Sequence, residues 1–138
     1  GDMAGKKILI VEDHSDIRRL MAFFLERIGY DVVEAETGLA AIERARATHP
    51  DLIMMDLGLP DITGDEATAR LKVEPSTKHI PVVVITAYYS NAPLVESALA
   101  AGACEVLSKP VALGTLEDTL RRLLMTTPDE ESLNRNFE

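Results

Sequence analysis

Three short runs without a single polar residue constrain this chain more than any other feature: Ile8-Leu9-Ile10-Val11, Leu52-Ile53-Met54-Met55 and Val82-Val83-Val84-Ile85. Each is too short for a buried helix and shows no alternation, so each reads as a strand covered on both faces. Two weaker segments, Asp31 to Ala35 and Cys104 to Leu107, are shorter or flanked by charge. Helical patterns separate these five segments. Ile17, Leu20, Met21, Phe24, Leu25 and Ile28 recur at spacings of three and four, which predicts one apolar helix face, with Ser15 as its N-cap and Gly29 as its stop. Further helices are expected over Leu39 to Thr48, Gly64 to Val73, Ala92 to Ala101 and the Leu113–Leu124 region. Strands alternating with helices imply a parallel sheet with helices on both sides. The order 2-1-3-4-5 places the two weak strands at the edges. The expected fold is therefore α/β, a flavodoxin-like doubly wound five-stranded parallel sheet with five helices.

Length and composition agree with one such domain. The 138 residues are 46% apolar and 27% charged, but only 4% aromatic, so aliphatic side chains must fill the core. Residues 1–5 read as a tag remnant and flexible start, 6–125 as the domain, and 126–138, polar and aperiodic, as a tail or linker. The single cysteine, Cys104, cannot form a disulfide within the chain and fits a cytoplasmic, reducing compartment. It is expected to pack on the fifth strand. No apolar run reaches the ~18 residues of a membrane span. The net charge is −9, of which the last ten residues carry −3. A protein that neutralises nucleic-acid phosphates needs a basic patch, and no Lys/Arg-rich run is present. An acidic body favours a metal cation or a basic partner instead.

In a doubly wound sheet, ligands bind beyond the carboxyl ends of the strands. There the first strand runs into Glu12-Asp13, the third into Asp56, the fourth into Thr86-Ala87, and the fifth is followed by Lys109-Pro110. An acid after one strand is ordinarily a cap or a solvated turn. Reactive groups after four of five strands form a pattern. Three neighbouring carboxylates repel one another, and a hard divalent cation such as Mg²⁺ relieves the repulsion through oxygen ligands. Asp56 would then act as a nucleophile toward a phosphoryl group, with the cation and Lys109 neutralising its charge and Thr86 bonding a phosphate oxygen.

These residues, together with Pro60, Gly64 and the Gly102-Ala103 pair, resemble the receiver domain of two-component response regulators over Lys6 to Met125. The intervals Asp13–Asp56 (43), Asp56–Thr86 (30) and Thr86–Lys109 (23) also match. The resemblance implies that Asp56 is the phosphoacceptor and that Glu12, Asp13, Asp56 and the backbone carbonyl of Gly58 hold Mg²⁺. It further implies that Thr86 is a switch hydroxyl, and that Lys109 pairs with the phosphoryl group from a usually cis bond to Pro110. A sensor histidine kinase or His phosphotransfer protein would dock by the first helix, near Arg18 and Met21. Output, often a homodimer, would use the fourth helix, fifth strand and fifth helix. No role with nucleic acid or membrane is expected within this chain, and the protein is expected to be a switch with weak self-dephosphorylation, not an enzyme.

The chain departs from the family pattern at three places. Val106 stands where an aromatic usually rotates with the switch, which fits either drift or a different switch route. Gly58 offers no side chain to orient an attacking water, and Tyr88 either covers the site or points into solvent from its loop. Both features suit a long-lived phosphorylated form. His14, His49 and His79 do not form a zinc signature, and His14 is expected in an exposed loop beside the acidic pair. Two alternatives of other classes remain. An Asp-nucleophile, Mg²⁺-dependent phosphatase ordinarily needs a second Asp at the position of Gly58. A phosphorylation-independent receiver-like binding module would not need the full set of reactive groups. The tail fits a free-standing receiver and a linker from a longer protein equally.

Overall fold

A computed structural model describes residues 3–125. Five strands and five helices alternate: β1 (Lys7–Val11), α1 (Ser15–Arg27), β2 (Asp31–Ala35), α2 (Gly38–Thr48), β3 (Leu52–Asp56), α3 (Gly64–Val73), β4 (Val82–Thr86), α4 (Ala92–Ala101), β5 (Glu105–Ser108) and α5 (Leu113–Met125). The strands form one sheet in the order β2-β1-β3-β4-β5, and all four pairings are parallel. This is the expected flavodoxin-like topology. The two central strands β3 and β4 are buried along their whole length, whereas the edge strands are only partly covered.

Successive strand residues point to opposite faces, and the apolar runs therefore feed two cores. Leu9, Val11, Ile53, Met55, Val82 and Val84 pack with Ala41, Ala45, Ala67, Leu71 and Ala98 from α2, α3 and α4. Ile8, Ile10, Leu52, Met54, Val83 and Ile85 pack with Leu25 of α1 and with Leu116 and Leu120 of α5. Alanines dominate the helical side of the first core, which lets three helices sit close on the sheet without aromatic filling. Thr37, Thr63 and Asn91 cap α2, α3 and α4 by accepting N–H groups of Ala40, Glu66 and Leu94. Gly102 ends α4 in the left-handed region at φ 116°, where a side chain is strained. Residues 3–5, read from sequence as part of a flexible start, place Met3 against the α1/α5 core, and the Gly5 N–H donates to the Gly29 carbonyl. The tail segment 126–138 lies outside the described residues.

Three local expectations are corrected. Ser15 is the first residue of α1 and not its cap; His14 occupies the N-cap position and makes no capping bond with its side chain. The buried line of α1 is Arg18, Ala22 and Leu25, while Ile17 and Leu20 are 48% and 71% exposed. One residue of offset is a rotation of about 100° on a helix. The sequence stripe marked the apolar face, but the guanidinium of Arg18 takes part of the inner face because it has acceptors there. Cys104 precedes β5 and is exposed; its thiol donates to the Val82 carbonyl at 3.3 Å.

Candidate active site

The topology carries the polar ends of β1, β3, β4 and β5 to one edge of the sheet. The Glu12 N–H donates to the Ala35 carbonyl of β2 at 3.1 Å, which extends the β1 ladder by one residue. The Lys109 N–H donates to the Thr86 carbonyl at 2.9 Å and does the same for β5. The Lys109–Pro110 peptide is cis. From there Lys109 Nζ donates to Glu12 Oε1 at 2.7 Å and to Asp56 Oδ2 at 3.1 Å. Groups separated by 97 and 53 residues thus meet at one ammonium. Glu12 and Asp56 are 5% and 8% exposed, so these are charges largely removed from water.

One cation cannot satisfy that much negative charge. Burial opposes ionisation of Glu12, but the hydrogen bonds from Lys109 and from Asp56 hold its carboxyl down to about 2. Burial, and then the adjoining Glu12, push Asp56 up to about 6, against the pull of Lys109. Without a further cation the pair therefore holds on to a proton up to about pH 6, on the Asp56 side. Lys109 is itself raised: burial works against its charge, and the two carboxylates more than offset it. Asp13 Oδ1 is buried and accepts no hydrogen bond. His14 Nδ1 lies 3.3 Å from it, but the imidazole, largely exposed as expected, bonds to Glu12 Oε2 at 3.2 Å. That bond raises the His14 pKa. Ligand atoms of Glu12, Asp13 and His14 lie within 4.8 Å of one another. A carboxylate oxygen that accepts no hydrogen bond, beside a carboxyl pair whose full ionisation is held back to about pH 6, fits a hard divalent cation with oxygen ligands.

The remaining residues complete the rim. Thr86 is 1% exposed, and its hydroxyl oxygen accepts the Tyr88 N–H at 2.9 Å, leaving its own proton for another acceptor. The Gly58 N–H donates to Asp56 Oδ1 at 3.3 Å, and a Cβ at Gly58 would meet nothing within 4 Å. Gly64 is required for space: a Cβ there would lie 2.1 Å from the Asp56 carbonyl oxygen. Ala87 and Pro110, with Glu12, Asp56 and Lys109, line the mouth of a cleft of about 800 Å³ that continues between α1 and α5. Tyr88 is 61% exposed. Val106 is buried in the core beneath α2, α3 and α4, a small aliphatic side chain where the family pattern has an aromatic. Sequence reasoning missed two residues. Arg18, placed on the docking rim, is buried and holds the Glu12 carbonyl. Asp61 accepts the Gly38 and Leu39 N–H groups and caps α2 from 22 to 23 residues away. The acids Glu34 and Glu36 at the end of the second strand were the available signal for Arg18.

Fold and site together define a signal-receiving domain of the two-component class, and the chain belongs to the family of response regulator receiver domains, which matches residues 8–121. It is similar to the polar-differentiation response regulator DivK of Brucella ovis, at 36% identity over 120 residues, covering 86% of this chain and 96% of that protein. Among solved structures it is similar to the chemotaxis protein CheY4 of Vibrio cholerae (31% identity, TM-score 0.81, covering 87% of this chain and 99% of that one). It is also similar to the receiver domain of a sensor histidine kinase of Pseudomonas aeruginosa (29% identity, TM-score 0.82, covering 89% and 100%). That receiver was solved with a magnesium ion coordinated in its active-site cleft. Among the described residues no helix is long and apolar enough to cross a membrane.

Proposed function

We propose that this receiver is a phosphorylation switch in which Asp56 accepts a phosphoryl group from a phosphohistidine of a sensor kinase or phosphotransfer protein. The observation that carries the reading is the convergence of Lys109 on both Glu12 and Asp56, beside an Asp13 oxygen that accepts no hydrogen bond. Glu12, Asp13, Asp56 and the Gly58 carbonyl would hold Mg²⁺, which would supply positive charge to the phosphoryl oxygens and favour the ionised form of Asp56. In the transfer, an oxygen of the ionised Asp56 attacks phosphorus, the P–N bond breaks, and the electron pair leaves with the imidazole of the donor. Lys109 is placed to follow the charge from the carboxylate to the phosphoryl group. Thr86 has a hydroxyl proton to offer a phosphoryl oxygen, and moving to do so would disturb its bond with the Tyr88 N–H at the start of the β4–α4 loop. That is a physical route from phosphorylation to the output face. A buried Val106 has no ring to rotate, so this loop carries the change.

The reading includes a cytoplasmic protein acting as a switch and not as an enzyme for an external substrate. Its output face is α4, β5 and α5, for a partner or a second copy. The test is incubation with acetyl phosphate and Mg²⁺, read by intact mass. The parent is expected to gain one phosphoryl group, and Asp56→Asn or the parent in EDTA none. No gain in the parent, or an equal gain in the variant, would overturn the reading.

A further inference from the structure

Among the described residues Arg18 is one of three charged side chains that are buried, at 6% exposure. A buried guanidinium must find acceptors for its donors, and Arg18 has three. Nε donates to Glu34 Oε1 at 2.9 Å, Nη2 to Glu36 Oε1 at 3.2 Å, and Nη1 to the Glu12 carbonyl at 2.8 Å. The first two acceptors are side chains at the end of β2, and they balance its charge. The third is different in kind. It is the main-chain carbonyl of the peptide that joins Glu12 to Asp13.

The backbone on either side of that peptide is also held. The Glu12 N–H is tied to Ala35, its carbonyl to the Arg18 side chain, and the His14 carbonyl accepts the Arg18 N–H at 3.0 Å. A change in the Glu12 ψ angle would turn this carbonyl away from Arg18 and swing the Asp13 Cα, and with it the Oδ1 that accepts no hydrogen bond. We infer that Arg18 is a positioning residue that fixes the Glu12–Asp13 peptide, and so sets the affinity of the acidic pair for a divalent cation. This deepens the proposed function and rests on the reading that the pocket takes such a cation.

Two mechanisms by which Arg18 could act predict opposite signs, which makes the inference testable. If Arg18 acted only through its charge, removing a cation near the pocket would strengthen Mg²⁺ binding. If it positions the peptide, its loss weakens binding although the pocket becomes more negative. Losing an outer group that orients a metal ligand typically costs about 10- to 100-fold in affinity. The experiment is calorimetric titration of the metal-free full chain with Mg²⁺ for the parent, Arg18→Met and Arg18→Lys, at one ionic strength, with far-UV circular dichroism to confirm folding. Arg18→Met is expected to bind about 10- to 100-fold more weakly, and Arg18→Lys, which keeps the charge on a single donor nitrogen, to fall between. Acetyl phosphate labelling of both variants is expected to return to the parent extent when Mg²⁺ is saturating, a shift in midpoint that general destabilisation would not produce. Unchanged or tighter binding in a folded Arg18→Met overturns the inference. Should Arg18→Met not fold, Arg18→Lys decides: weakening of about threefold or more supports the inference, and parent-like affinity overturns it. A parent that binds no Mg²⁺ would instead defeat the metal reading itself, so the two failures are distinct.

Discussion

Replacing Gly64 by alanine sets two physical effects against each other. Gly64 is the first residue of α3, and alanine is the better helix former by up to about 1 kcal/mol. Its φ lies outside the left-handed region, so conformation alone does not demand glycine. Space does. An added Cβ would sit 2.1 Å from the Asp56 carbonyl oxygen and 2.9 Å from the Leu57 Cα, both backbone atoms that no rotamer change can move. Restoring ordinary contact requires α3 and the end of β3 to separate by about 1 Å, and overpacking of this kind typically costs about 1–3 kcal/mol. Gly58, six residues earlier, is the internal control, since a Cβ there meets nothing within 4 Å. Gly58→Ala is expected to be neutral or to gain a few tenths of a kcal/mol from a stiffer unfolded chain. Urea unfolding followed by circular dichroism reads both. With a slope of about 1–3 kcal/mol/M, Gly64→Ala should unfold roughly 1 M earlier than the parent, and Gly58→Ala should match it. The same displacement moves Asp56 relative to Lys109, so Gly64→Ala should also be labelled more slowly by acetyl phosphate. A Gly64→Ala midpoint at or above the parent, or an equal loss in Gly58→Ala, would refute the steric argument.

Other outcomes follow from the same structure. The raised pKa of Asp56 means that the native state binds more protons than the unfolded chain between about pH 4 and 6, so in EDTA this group's contribution to stability is present at low pH and lost as pH rises through that window. Asp56→Asn should remove that loss and be more stable than the parent at pH 7, by on the order of 1–2 kcal/mol after solvent screening; equal urea midpoints would count against it. Asp61 shows the opposite sign: burial works weakly against it, but the Leu39 and Gly38 N–H groups hold its carboxyl down to about 2. Its stabilisation is therefore present above about pH 4 and lost toward pH 2, and Asp61→Ala should cost about 1 kcal/mol at neutral pH and little at the acid end. Tyr88→Ala is expected to speed Mg²⁺-dependent dephosphorylation, and a rate equal to the parent's would leave the Tyr88 side chain no part in shielding the phosphoryl group.

The sheet was legible because burial on both faces leaves an unmistakable mark: three polar-free runs that only a covered parallel strand requires. The site was legible for a related reason. Ladder pairing fixes where each strand stops, so residues written directly after Val11, Met55, Ile85 and Ser108 must arrive at one edge. The α1 face was less legible because Arg18 is amphipathic. Periodicity counts it as polar surface, whereas its stem and guanidinium are buried once Glu34, Glu36 and the Glu12 carbonyl are within reach. The same count turns Ile17 and Leu20 inward, and both are exposed. The capping of α2 by Asp61 left no local trace, since the acid and the N–H groups it accepts meet only in three dimensions. The pairing of Lys109 with Glu12 as well as Asp56 was likewise beyond the sequence, which placed the ammonium at the edge without saying how it divides between the acids.

The most direct test of the central claim is to locate the phosphoryl group chemically. Reduction of the acetyl phosphate-treated protein with borohydride converts an acyl phosphate at aspartate to homoserine, and peptide mass mapping then reports the position. Homoserine at position 56, dependent on Mg²⁺, is the predicted result; homoserine at another aspartate, or none in a protein that has gained phosphoryl mass, would contradict the account.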